Sequence, residues 1–81
     1  MSPDVNTLTH DIRGMIADLV QRPLGAVRPD SRLLEDLGLD SLQITELAQK
    51  IENAVGSPVD EDLLNAEGTT IARCAEIAVG S

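Results

Sequence analysis

Apolar residues recur along this chain with the period of a helix. Val5, Leu8, Ile12, Ile16, Leu19 and Val20 predict a long first helix from about Pro3 to Gln21. Ser2 is the expected cap, and Pro3 suits the first helical position, where a missing N–H costs nothing. Pro23 closes the pattern. Gly14 weakens this helix by up to ~1 kcal/mol relative to alanine unless something packs closely there.

Residues 22 to 39 form a long connection. Pro23, Gly25, Pro29, Asp30 and Ser31 are turn formers, yet Leu24, Val27, Leu33, Leu34, Leu37 and Leu39 are interleaved with them. A solvated linker needs no such leucines, so the loop is expected to pack back onto the helices. A short helical turn is expected near Leu33 to Leu37. Gly38 suits a backbone conformation closed to other residues.

The second helix has the strongest signals. Its apolar positions are Ile44, Leu47, Ala48, Ile51 and Val55. Asp40 and Gln43 form a capping box, and Leu39 with Ile44 forms a hydrophobic staple. The helix therefore starts at Ser41. Gly56 ends it, and Pro58 follows.

A short helix is predicted from about Asp60 to Ala66, capped by Asp60, with Leu63 and Leu64 as its apolar contacts. Gly68 breaks it. Thr69 or Thr70 then caps a last helix through about Val79, with Ile71, Cys74 or Ala75, and Ala78 inward. The expected fold is all-α: a four-helix bundle of three longer helices and one short third helix, with a long first connecting loop. Residues 1–81 form a single domain.

Composition agrees. Apolar residues are 42% of the 81 and none is aromatic. A chain of this length buries only about 60% of its unfolded surface, so the core must be economical. Aliphatic side chains alone suit helices better than an antiparallel sheet, which favours aromatic cross-strand pairs. Fourteen acids against six Lys and Arg give a net charge of −8, which opposes nucleic acid and anionic lipid and favours basic partner surfaces. The single cysteine, Cys74, allows no internal disulfide. No signal region and no membrane-spanning apolar run is present, so a cytoplasmic location is the simplest.

Candidate chemistry narrows to one hydroxyl. Ser41 lies on the first turn of the second helix, where serine is common for structural reasons alone. The same place suits an attached phosphate, which favours the positive end of a helix. His10, the lone histidine, is expected on the outer face of the first helix, and no Gly-x-Ser-x-Gly elbow exists, so Ser41 has no evident base. Cys74 reads as a buried small residue. Glu35, Asp36 and Asp40, and Asp60, Glu61 and Asp62, fit no EF-hand spacing and read as solvated acids. No zinc spacing or phosphate loop is present. Leu42 points away from the apolar stripe of its helix.

Leu33-Leu34-Glu35-Asp36-Leu37-Gly38-Leu39-Asp40-Ser41-Leu42 resembles the phosphopantetheine attachment region of acyl carrier proteins. The core of the likeness is Asp36-Leu37-Gly38, one variable residue, then Asp40-Ser41-Leu42. It extends over nearly the whole chain, because the order of helices also corresponds. The resemblance implies a non-catalytic carrier. A phosphopantetheinyl transferase would move 4'-phosphopantetheine from coenzyme A onto Ser41, and the arm's thiol would carry acyl groups as thioesters. Asp40 would serve recognition by the transferase. Glu35, Asp40, Leu42 and Glu46 match partner-binding positions. Leu47, Ala48, Ile51 and Leu64 match apolar positions that line the core, where some carriers shelter the acyl chain. Implied partners are the transferase, an acyl- or aminoacyl-loading enzyme, and a ketosynthase, acyltransferase or tailoring enzyme with a basic docking patch. The carrier is expected to be a monomer, and its Met start and short length point to a freestanding one.

Some positions depart from the family pattern. Leu33 stands near a common aromatic, and Gln49 where an exposed apolar contact is common. Gln43, Gln49 and Lys50 make the second helix less acidic than in typical fatty-acid carriers. These departures point to polyketide, specialised fatty-acid or other secondary metabolism. Two alternatives remain at this point: a discrete aminoacyl or peptidyl carrier of a non-ribosomal peptide synthetase pathway, and a non-catalytic acidic interaction bundle with no arm. Leu39-Asp40, in place of the Gly-Gly usual in peptidyl carriers, favours the acyl type. An esterase is the most distant possibility.

Overall fold

The computed structural model describes residues 4–80 and is all-helical. Helix α1 spans Val5–Val20, α2 Ser41–Val55, α3 Glu61–Leu64 and α4 Ile71–Gly80. One antiparallel backbone bridge, Arg32 with Thr70, lies outside any strand.

Helix α1 starts later than its sequence pattern implied. Asp4 is extended and caps the helix, its carboxylate accepting the Thr7 N–H at 2.7 Å. The expected cap Ser2 and Pro3 lie outside the described residues. Leu8, Ile12 and Ile16 are buried, Leu19 and Val20 pack partly against the core, and Val5 is exposed. Gln21 ends the helix in the left-handed conformation.

The connection is packed, as expected, through Val27, Leu33, Leu37 and Leu39. Leu24 is an exception and is exposed, because it opens a 3-10 turn over Leu24–Ala26 that projects outward. Arg13 of α1 holds this turn: its Nε donates to the Val27 carbonyl at 2.6 Å and its Nη2 to the Leu24 carbonyl at 3.1 Å. The Asp36 and Leu37 N–H groups both donate to the Arg32 carbonyl, which closes the expected turn near Leu33.

The loop also completes α4. The N–H groups of a first helical turn have no partner within the helix. Here Ile71 N–H donates to the Ser31 carbonyl and Ala72 N–H to the Pro29 carbonyl, and Arg73 N–H donates to the Thr70 hydroxyl. Thr70 is therefore the cap. Thr69 is buried, and its hydroxyl donates to the Leu63 carbonyl at 2.9 Å.

That last bond bears on α3, which stops at Leu64 rather than Ala66. A continuing helix would use the Leu63 carbonyl four residues on, but Thr69 occupies it, and Asn65 has left helical geometry. Leu64 is fully buried, whereas Leu63 is 45% exposed and is not the core contact its spacing implied. On α4, Ile71, Cys74, Ala75, Ile77 and Ala78 are buried, and Ile77 widens the expected inner face. Burial drives the Cys74 thiol pKa up to about 12. Nothing lies within 4 Å of a side-chain carbon placed on Gly14, so no close approach explains that glycine.

Candidate functional site

Helix α2 begins as its capping signals require. Asp40 accepts the Gln43 N–H at 2.8 Å, and the Gln43 side chain accepts the Asp40 N–H at 3.1 Å. These reciprocal bonds satisfy donors that the helix leaves free and hold the first turn open to solvent. Ser41 is the first residue of that turn and is exposed. Its hydroxyl, and the N–H groups of Ser41 and Leu42, enter no hydrogen bond among the described residues. The turn therefore offers an accessible primary alcohol beside free backbone donors at the positive end of a fifteen-residue helix. That chemistry fits a phosphodiester.

Leu42 follows, with 78% of its surface exposed. Glu46 lies one helical turn further along the same face and is also exposed. Asp40 is exposed beside them. Leu47, Ala48, Ile51 and Leu64 are instead buried together in the core. The structure thus separates the candidate residues into an outer set around Ser41 and an inner apolar set. Two surface grooves, of about 520 and 280 Å³, are lined by residues of neither set.

The loop before Ser41 is tied down by charge. Asp36 accepts from the Arg32 backbone N–H at 2.8 Å and pairs with its guanidinium at 3.0 Å. The hydrogen bond from the Arg32 side chain, followed by that from its backbone, lowers the Asp36 pKa below the usual carboxylate value. Glu35 reaches across to accept the Gly68 N–H at 2.8 Å. On α2, Glu52 accepts the Val59 N–H at 3.0 Å and so anchors the chain entering α3. Gly38 then turns with φ +69° into Leu39 and the cap.

His10 is exposed on α1, as its position in the pattern implied. No group of acids, His or Cys able to hold a metal ion occurs among the described residues. The roles of Arg13, Glu52 and Gln43 as ties between elements were not evident in the sequence.

Residues 10–77 match the family model described as phosphopantetheine attachment site. Among curated proteins, the chain is similar to the acyl carrier protein of Rickettsia bellii (strain RML369-C), with 32% identity over 73 residues, covering 90% of this chain and 80% of the relative. It is 35% identical over 51 residues to the acyl carrier protein of Nitratidesulfovibrio vulgaris (strain DP4), covering 63% and 67% of the two chains. It is 33% identical over 57 residues to that of Chloroherpeton thalassium (strain ATCC 35110 / GB-78), covering 64% and 71%. No solved structure matches the chain. With a helical bundle of the right order and a matching attachment region, the chain belongs to the acyl carrier protein family, non-catalytic carriers that bear a covalent 4'-phosphopantetheine.

Proposed function

We propose that Ser41 is the attachment serine and that residues 1–81 act as one cytoplasmic, monomeric carrier domain in polyketide, specialised fatty-acid or other secondary-metabolite biosynthesis. The observation that carries the reading is the exposed, unengaged Ser41 hydroxyl on the capped first turn of α2, inside Asp36-Leu37-Gly38-x-Asp40-Ser41-Leu42. When bound, the arm supplies the thiol that holds the cargo. Asp40 serves recognition by the transferase, and Leu42, Glu46 and Glu35 contact partner enzymes. These partners are a loading enzyme and a ketosynthase, acyltransferase or tailoring enzyme with a basic docking patch. The net charge of −8 supports fast, weak, salt-sensitive encounters with such patches. Gln43, Gln49 and Lys50 support a dedicated pathway over a housekeeping one.

The experiment has two stages. The protein is first modified with coenzyme A and a broad-specificity transferase. The product is then offered separately to acyl-transferring and amino-acid-activating enzymes. Charging by an acyl-transferring enzyme is expected. Charging by an amino-acid activator alone would overturn the acyl assignment and favour the aminoacyl carrier.

A further inference from the structure

The side-chain amide of Gln43 is used at both ends. Its Oε1 accepts the Asp40 N–H at 3.1 Å and closes the capping box. Its Nε2 donates to the Leu19 carbonyl at 3.4 Å. Leu19 lies in the last turn of α1, where carbonyls lack helical partners. Its neighbours are satisfied locally: the Ala17 carbonyl accepts from the Gln21 and Arg22 N–H groups, and the Asp18 carbonyl from Gln21 Nε2. The Leu19 carbonyl draws instead on α2. Among the described residues, no other side-chain hydrogen bond joins α1 to α2.

We propose that Gln43 is a positioning residue, which pins the first turn of α2 to the end of α1 and so keeps Ser41 ordered for the transferase. This rests on the reading of Ser41 as the attachment serine. The position demands an amide, with an acceptor toward Asp40 and a donor toward Leu19. Glutamate keeps the acceptor but sets a second oxygen against the Leu19 carbonyl, at the negative end of α1. Alanine loses both bonds. A turn that is ordered for only part of the time raises the apparent dissociation constant in proportion, while the bound complex reacts normally.

The test compares wild type, Gln43→Glu and Gln49→Glu. Gln49 is exposed on the same helix, so its substitution makes the same charge change away from Leu19. Gln43→Glu is expected to raise KM for phosphopantetheine transfer about 3- to 10-fold with kcat held, and Gln49→Glu to leave KM near wild type. In the free protein, where the wild-type turn is mostly closed, amide exchange at Gln43 and Ile44 should speed up by well over that factor, with Ile51 unchanged. Unchanged exchange at Gln43 and Ile44, or an equal KM rise in Gln49→Glu, would overturn the proposal. If Gln43→Glu does not fold, Gln43→Ala carries the same comparison with a larger expected increase. Failure of wild type to be modified defeats the attachment reading instead, and the exchange comparison still decides whether Gln43 pins the turn.

Discussion

Glu35, six residues before Ser41, accepts the backbone N–H of Gly68 at 2.8 Å, across a separation of 33 residues. The bond ties the loop that leads into α2 to the turn between α3 and α4. Replacing Glu35 with alanine removes a charge-assisted acceptor and should cost about 1 kcal/mol, with glutamine losing less. Urea unfolding measures this directly. Stability equal to wild type in Glu35→Ala would leave Glu35 as a surface acid alone.

Two glycines should respond to alanine in opposite directions. Gly14 is inside α1 with open space around it, so Gly14→Ala should stabilise the protein by about 0.5–1 kcal/mol. Gly38 also has open space, but its φ of +69° strains any residue with a side chain, so Gly38→Ala should cost about 1–2 kcal/mol. Thermal unfolding of the two variants checks the sign of each.

Cys74 predicts an alkaline limit. Its thiol pKa is about 12 in the folded chain against 9.0 for a free thiol, with desolvation as the cause. Between those values the unfolded state releases the thiol proton and the folded state keeps it. Stability is therefore undiminished by this group below about pH 9 and falls as pH rises toward 12, by up to about 1.4 kcal/mol per pH unit. Cys74→Ala should start lower, because it opens space in the core, and should lose less over that window. The chain has no tyrosine to blur the comparison. A disulfide-exchange reagent should leave the native thiol unreacted at neutral pH and label it on unfolding.

The start of α2 was legible in the sequence because its determinants are local. Asp40 with Gln43, and Leu39 with Ile44, lie only three and five residues apart and need no tertiary partner. Leu47, Ala48 and Ile51 followed from the same periodicity and are all buried. Features set by distant residues were not legible. The exposed Leu24 depends on a turn held by Arg13, 11 residues earlier. The early end of α3 depends on the Thr69 hydroxyl, and the exposure of Leu63 follows from which side of that short helix faces the core. Helix α1 starts at Val5 because Asp4 caps it well, a choice between adjacent polar residues that the apolar pattern does not make. Ser41 itself was easy to place, yet its helix position fits an ordinary serine equally well. The surrounding Asp-Leu-Gly-x-Asp-Ser-Leu residues gave it chemical meaning.

Intact mass after incubation with coenzyme A and a broad-specificity transferase tests the role of Ser41 most directly. Wild type, Ser41→Ala and Ser57→Ala should be measured together, because Ser57 is an exposed serine just past the far end of α2. Wild type and Ser57→Ala should each gain a single phosphopantetheine, and Ser41→Ala should gain none. No gain in wild type, or a gain retained in Ser41→Ala, would contradict the assignment.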